Sequence, residues 1–502
     1  MIRWLDDFID RTTMYRLVLY YLMALVALAL GLSSFGRMPF APLELVASTA
    51  LIVLVSWAAN ALFCRLYDTP ANSGSTTITA LVIVLILSPV ELTDWRGHAA
   101  LAAAAIWAVA SKYVLAIARR HVFNPAAIGV TLTALLVDHP ATWWIATPAL
   151  LPLVIVGGVL ILRKLQRFDL LVALVLANVV ATLLTVKYFI VQNTLTETFL
   201  HSPLLFLGFA MVSEPLTTPP QRWARLFYAV IVGILTAPSI KFGNSFVTPE
   251  LALLAGNLFA FLVSPKRRYE MTLIRIEKIA NGAFDFVFRP DRRLNHAPGQ
   301  YLEWTLATGR ADDRGNRRSF TVASAPGEAE VRLGVKLHDK PSTFKQALSA
   351  MQPGDRIYAS HLNGSFTLPR DKSTKLAFIA GGIGITPFRA MIGQLARTGE
   401  RRDIALFYGN PSPDDIAYRE LLEDAGEAIG LRTIYAVDRD ALPGMHPGFI
   451  DAELIRRELP DYRERTFYLS GPRAMVLRFR HVLGEMGVSR RRIREDFFPG
   501  FA

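Results

Sequence analysis

The 502-residue sequence contains a single cysteine, Cys64. That count excludes an internal disulfide and any cysteine-ligated zinc or iron–sulfur centre built by this chain alone. Charge is equally scarce, at 19% of residues, and it is unevenly spread. Residues 1–265 hold 16 Lys+Arg and 12 Asp+Glu, which leaves 38 of the 54 bases and 30 of the 42 acids for residues 266–502. No Lys/Arg run is interleaved with aromatics, so the net charge of +12 does not point to nucleic acid. With 52% hydrophobic residues and a mean hydropathy of +0.32, the chain is not disordered, collagen-like or one ordinary soluble domain.

What the first half does contain is apolar runs. A hydrocarbon core of roughly 30 Å needs about 20 apolar residues per helix, and such runs recur from Tyr15 to Val263. We place spans near 15–33, 43–63, 76–90, 98–118, 125–137, 142–162, 169–190, 201–216, 224–240 and 249–263. This threading puts Arg3, Arg11, Arg16, Arg65, Arg119, Arg120, Arg163, Lys164, Arg167, Arg222, Arg225 and Lys266 to Arg268 on one side, against Arg37, Arg96 and Lys241. The asymmetry predicts a multi-pass inner-membrane protein with cytoplasmic termini and a cytoplasmic second half. Three polar breaks interrupt the spans: Asn72 to Thr76, Phe123 to Ala127, and Glu214 to Pro219. Short broken helices of this kind can seat a ligand at mid-membrane or serve as ordinary loops and caps. Few charges lie inside the spans, and Lys112, Lys187 and Glu214 are the candidates for a functional one.

In order, Asn72-Ser73-Gly74-Ser75-Thr76 running to Ser88-Pro89, Val122-Phe123-Asn124-Pro125-Ala126-Ala127 and Met211-Val212-Ser213-Glu214-Pro215 resemble the membrane subunits of Rnf electron-transport complexes (the D subunit) and of the sodium-pumping NADH:quinone reductase (the B subunit). The resemblance covers most of residues 50–265 and implies an inverted-repeat bundle that passes electrons through flavin. Family members carry FMN esterified to a Thr between the fifth and sixth spans; that connection is short here and lacks the motif. The implied second flavin, FMN or riboflavin, is therefore expected to be non-covalent, with Ser73, Thr76, Asn124 and Pro125 as candidate contacts.

Beyond Arg268 the periodicity changes. Short alternating runs at Thr272–Ile279, Ala283–Phe288, Gln300–Thr305, Arg318–Ser324, Glu330–Lys336 and Arg356–His361 predict a small antiparallel barrel. From Leu376 onward, strand and helix patterns alternate and predict a parallel α/β sheet. Arg318, Ser319, Phe320 and Thr321 set a guanidinium, an aromatic ring and hydroxyls along one strand, suited to a pyrophosphate and a flavin ring. Asn363-Gly364-Ser365-Phe366 closes a later strand with exposed backbone N–H groups. Gly381, Gly382 and Gly384, followed by Thr386 and Pro387, form a glycine turn into a helix, where backbone can approach a phosphate. Ser470-Gly471-Pro472 gives a second strand-to-helix turn.

These four motifs in this order, with the terminal Glu495-Asp496-Phe497-Phe498, strongly resemble the ferredoxin–NADP reductase superfamily. The resemblance implies FAD and NAD(P)H as cofactors. It places Arg318 on the flavin phosphate, Phe320 against the ring, Thr321 near the reactive nitrogen, and Gly364 to Phe366 at the pyrophosphate. Gly381 to Pro387, Gly471 and Pro472 fall at the nicotinamide nucleotide, and Ser470 stands where many relatives have Cys. Thr321 and Ser470 are thus the candidate catalytic residues.

The expected architecture is a polytopic α-helical membrane bundle of about ten spans with an inverted repeat, then an antiparallel β-barrel FAD domain and an α/β nucleotide-binding domain. The expected boundaries are 1–265, 266–370 and 371–502. The expected function is an NAD(P)H-dependent flavin oxidoreductase passing single electrons through a membrane flavin to a quinone or an extracytoplasmic redox protein, with lipid as its other partner and no metal. Three alternatives stay open: quinone reduction at the membrane surface with the bundle as anchor, a haem ferric reductase, and a solute transporter with a regulatory reductase. Haem is disfavoured because His98, His121, His139 and His201 lie near span ends rather than in facing mid-helix pairs.

Overall fold

The computed structural model describes residues 12–67, 73–117, 120–186, 190–264, 267–306, 316–337 and 341–496. Asn72, Phe497 and Phe498, with Arg3, Arg11, Arg119, Lys187 and Lys266 of the charge pattern, lie outside the described residues. Two compact units divide after Ser264.

The first unit is helical. Its helices are α1 (Met14–Ser34), α2 (Pro42–Leu66), α3 (Ser73–Ile86), α4 (Trp95–Val114), α5 (Pro125–Val137), α6 (Leu151–Leu165), α7 (Phe168–Thr185), α8 (Val191–Leu200), α9 (Arg222–Leu235) and α10 (Pro249–Val263). Between α8 and α9, residues 204–212 turn from a short α segment into a wide π-helical one over Leu207–Val212. Each of the ten apolar segments thus contains helix, but most are short. Among the described residues, α1, α2 and α7 are long and apolar enough to cross a membrane by length and composition, and a fourth is added if the pair bent by 54° at Leu200–Leu204 counts as one. The segment placed at 142–162 begins irregularly, with Trp143 at positive φ, and its helix starts at Leu151.

The helices pack by the same plan twice. In the first half α4 lies against α5 and α2, and α1 lies against α3; in the second, α9 lies against α10 and α7, and α6 lies against the π segment. Small residues allow close approach at these crossings. A Cβ on Gly129 of α5 would sit 2.5 Å from the Ala104 carbonyl oxygen of α4, and one on Gly233 of α9 would sit 2.3 Å from the Leu174 carbonyl oxygen of α7. The outward faces are apolar: Met23, Leu54, Trp57, Leu135, Val156, Leu184, Phe227 and Leu262 are all exposed. In the second unit the exposed large hydrophobics are just Ile276, Leu442 and Phe449 among the described residues. An apolar surface of that extent marks a membrane or protein contact.

The second unit holds two sheets. Strands β1 (Arg268–Ala280), β2 (Ala283–Pro290), β3 (Tyr301–Thr305), β4 (Arg317–Thr321), β5 (Val331–Lys336) and β6 (Arg356–Asn363) pair antiparallel in the order β4-β3-β6-β1-β2-β5, with helix α11 (Thr343–Ser349) between β5 and β6. All six expected strands are present. The paired ladder ends at β4 and β5, which are joined after β4 by the Ala323 N–H to Arg332 carbonyl bond. Inward residues Met271, Phe286, Phe288, Leu302, Trp304, Leu333 and Ile357 fill its core.

Then come β7 (Leu376–Gly381), α12 (Thr386–Thr398), β8 (Ile404–Asn410), α13 (Arg419–Ile429), β9 (Arg432–Val437), β10 (His446–Pro447), α14 (Ala452–Glu458), β11 (Thr466–Ser470), α15 (Arg473–Glu485) and β12 (Ile493–Glu495). The strands are all parallel, in the order β10-β9-β8-β7-β11-β12. Strand β7 is buried at every position, as a central parallel strand must be, and separate apolar clusters cover the two faces.

Gly129→Val should force α4 and α5 apart, since its branched side chain would have to displace backbone. The expected loss is about 1–3 kcal/mol, read as a lower melting temperature of the detergent-purified chain; an unchanged melting temperature would show that the crossing has slack.

Candidate functional site

Strand β4 is set by its pairing with β3, where Leu302, Glu303 and Trp304 oppose Phe320, Ser319 and Arg318. Alternation puts Arg318 and Phe320 on one face. That face meets α11, whose Phe344 ring lies 5.6 Å from the Arg318 guanidinium and 5.8 Å from the Phe320 ring. Phe344 was not among the expected site residues. Its signal was the Ser342 cap, which accepts a hydrogen bond from the Lys345 N–H and starts the helix. Arg318 is 6% exposed and donates to the Arg317 carbonyl at 2.7 Å. Thr321 is buried at the strand end, and the Ser319 hydroxyl is buried on the opposite face without a hydrogen-bond partner.

Gly364, at φ +120°, follows β6, its carbonyl accepts from Gln300 Nε2 at 3.4 Å, and Ser365 beside it is exposed. Phe366 behaves differently. Its ring packs 5.1 Å from Tyr468 and 5.7 Å from Phe388 in the core of the parallel sheet, so the side chain is not available to a ligand. Its carbonyl also explains Gly299, where a Cβ would lie 1.9 Å from that oxygen.

At the parallel sheet, neighbouring strands β7 and β11 run in register, with Ala380 beside Ser470, so both glycine turns emerge together at the carboxyl edge. They touch backbone to backbone. A Cβ on Gly384 would lie 2.5 Å from the Gly471 Cα and from the Ser470 carbonyl oxygen, and one on Gly381 would meet Met475 Sδ at 2.4 Å. Gly382, at φ +51°, has open space where its side chain would be. Thr386 and Pro387 are buried in the first turn of α12, and the Thr386 hydroxyl donates to the Ile383 carbonyl. Pro472 caps α15. At the end of β8, the Asn410 amide is buried with neither polar atom hydrogen-bonded. This turn-and-orphan arrangement fits a dinucleotide, and the Arg318, Phe320 and Gly364 surfaces fit a flavin nucleotide.

Ser470 is 2% exposed and donates to Asp496 Oδ2 at 3.1 Å. The Asp496 N–H is itself held by the Leu469 carbonyl, which fixes the carboxylate behind the turn. Burial pushes the Asp496 carboxyl up to about 7, against the smaller opposing pull of the Ser470 bond. The two halves of the site are tied by Arg389 of α12, which donates to the Ala323 carbonyl, two residues past Thr321, at 2.9 Å.

The helical unit's candidate residues have other duties. Asn124 caps α5 by accepting from the Ala127 N–H, donates to Glu214 at 2.9 Å, and gives its own N–H to Asn257 of α10. Pro125 is the buried first residue of α5, Thr76 is buried within α3, and the Ser73 carbonyl accepts from Thr77. Asn124 and Pro125 thus hold the start of α5 against Glu214 and α10. Among the described residues no three His, Cys, Asp or Glu side chains are grouped to hold a metal ion.

Fold and site together make the second unit a two-sheet module fitted to a flavin and a nicotinamide nucleotide. Residues 378–481 match the family described as oxidoreductase NAD-binding domain. The chain is similar to a flavohemoprotein of Bacillus cereus, 25% identical over 213 residues, covering 40% of this chain and 52% of that protein. It is also similar to the stachydrine N-demethylase reductase subunit Stc4 of Rhizobium meliloti (26% identical; 44% and 64% covered) and to an NADPH oxidoreductase of Mycobacterium tuberculosis (27%; 41% and 53%). The chain spans about half the length of the curated relatives it matches. Among solved structures it is similar to the Amycolatopsis cytochrome P450 reductase GcoB, with a TM-score of 0.42 and 24% identity, covering 46% of this chain and 70% of that one.

Because the folded Asp496 value exceeds the ordinary carboxyl value of 3.8, the folded chain holds an extra proton between about 4 and 7. Stability must therefore fall as pH rises through that window. Asp496→Asn should remove this share of the fall, seen as a flatter dependence of melting temperature on pH; an unaltered slope would mean that the carboxylate is already ionised at the acid end.

Proposed function

We propose that the chain is a membrane-bound NAD(P)H-dependent flavin oxidoreductase whose final acceptor is a quinone or an extracytoplasmic redox protein. The observation that carries this reading is the pairing of two glycine turns at one sheet edge with a guanidinium–aromatic strand on the neighbouring sheet. Arg318 would hold the flavin pyrophosphate by charge, Phe320 would offer a ring face, and Thr321 would place a hydroxyl at the ring edge. Gly364 and Ser365 would present N–H groups to phosphate, while Gly381, Gly382 and Gly384 would admit the nicotinamide nucleotide close to backbone. Ser470, oriented by Asp496, would bound the nicotinamide pocket. Bound FAD would supply the exchange between paired and single electrons that nicotinamide cannot perform. The protein's own contribution is orientation and exclusion of water.

Membrane association is supported by the apolar outer faces of the helical unit and by its three long apolar helices. The twice-used packing plan supports an inverted repeat; the likeness to the Rnf and sodium-pumping reductase membrane subunits is the ground for reading about ten apolar segments as one bundle with a carrier such as FMN or riboflavin between the membrane faces. One observation favours a second reading, quinone reduction at the cytoplasmic membrane surface with the bundle as anchor: Asn124, Glu214 and Asn257 satisfy one another rather than facing a ligand.

The detergent-purified chain should oxidise NADH or NADPH with ferricyanide or a short-chain quinone as acceptor. Arg318→Ala should weaken flavin retention by about tenfold or more, with activity restored by added FAD. Full flavin content and full activity in that variant would overturn the assignment. Flavin counting separates the two routes, since two per chain supports passage through the bundle and one supports the surface reading.

A further inference from the structure

The junction between the two sheets of the reductase unit contains a fully buried carboxylate that the proposed chemistry does not use. Asp285 lies on β2 and is 0% exposed. Its Oδ1 accepts from the Tyr418 hydroxyl at 2.5 Å, and its Oδ2 accepts from Arg332 Nη1 on β5 at 3.2 Å. Arg332 in turn bonds Glu277 of β1, so the charge is anchored in the antiparallel sheet. Tyr418 belongs to the other sheet. It precedes α13 at φ +58°, a left-handed conformation that a tyrosine adopts at a cost. That backbone geometry carries the phenol across to β2.

The contact is closely packed. Gly334 is the cross-strand partner of Asp285, and a Cβ there would lie 2.8 Å from the Tyr418 hydroxyl and 2.6 Å from Thr386 Cγ2. Thr386 opens α12 directly after the nucleotide turn. The same helix carries Arg389, which reaches the Ala323 carbonyl and Glu328 and lies 5.8 Å from the Tyr418 ring. Nearby, Lys336 pairs with Asp415 at 3.0 Å, and the Asn281 N–H bonds the Asp414 carbonyl. The start of α12 is thus clamped between Gly334 below and the segment leading to Tyr418 beside it. A buried carboxylate is a poor source of net stability, because desolvation offsets much of what its partners return. What it does supply is a fixed direction and length.

We infer that Asp285 and Tyr418 are positioning residues that set the nucleotide turn of the parallel sheet at its working distance from the flavin strand of the antiparallel sheet. Neither is among the residues assigned above to flavin or nucleotide. They act through Gly334, Thr386 and Arg389, and the inference rests on the functional reading above. Hydride transfer is steep in distance, and a misplacement of about 1 Å can cost as much as a hundredfold.

The test uses the full-length chain in detergent with FAD bound. Tyr418→Phe removes only the hydroxyl and keeps the ring against Arg389. Flavin reduction is followed by stopped flow at saturating NADH or NADPH, with flavin content and melting temperature measured on the same sample. The expected result is a reduction rate lower by about tenfold to a hundredfold, with flavin content unchanged and the nucleotide KM within about twofold. Asp285→Asn keeps an oxygen to accept from Tyr418 and should recover most of the rate, whereas Asp285→Leu should not. A Tyr418→Phe rate within about twofold of the unsubstituted chain would overturn the inference, as would a rate loss matched by proportional flavin loss. If the unsubstituted chain holds flavin but is not reduced by either nucleotide, the functional reading fails instead, which keeps the two failures distinct.

Discussion

The structure of the reductase unit depends on one steric fact: two backbone turns occupy space that leaves no room for a side chain between them. Gly384 and Gly471 meet at distances a Cβ could not tolerate, and Gly381 is closed by Met475. Everything around them serves this approach. Strands β7 and β11 must be adjacent and in register for the turns to emerge side by side, and β7 must be buried on both faces to hold them rigid. Only where side chains are missing can backbone N–H groups converge on one small volume.

A second level of organisation is electrostatic. The antiparallel sheet carries Arg275, Glu277, Asp285, Glu330 and Arg332 as a connected set of ion pairs, part of it fully buried. Isolated exposed pairs contribute little, but a network whose members are held by β-strands fixes angles as well as charge. It lies where the two sheets meet. The helical unit uses the same device on a smaller scale, where Glu214 answers both the Asn124 amide and, at 3.5 Å, His121.

The reductase unit was largely legible in the sequence because its periodicities are clean. The alternation at Ala283–Phe288 and the glycine turns at 381–384 and 470–472 follow from chemistry that acts within a few residues. Three features were not legible. Phe366 reads as part of a phosphate loop, yet its ring belongs to a core assembled from strands far away in the chain. Phe344 becomes relevant only because α11 folds onto β4. Asp285 looks like one polar residue in an apolar strand, and its partner Tyr418 lies 133 residues away. The antiparallel strands were foreseen but not their order, since strand order depends on long-range pairing rather than on residue type. In the helical unit, apolar runs located the helices but not their lengths. The π segment at Leu207–Val212 and the irregular entry at Trp143 answer to packing against Gly158 and Glu250, which no local pattern encodes.

The lone cysteine has a practical consequence. Cys64 is buried on α2, with its sulfur 3.1 Å from the Tyr113 hydroxyl, which also bonds Asn60. A thiol so enclosed is shielded from aqueous alkylating reagents, so the natural chain is close to a blank background for site-directed labelling. A cysteine introduced at a surface position would carry a spin or fluorescent probe almost alone, and distances within either unit could be read without first re-engineering the protein.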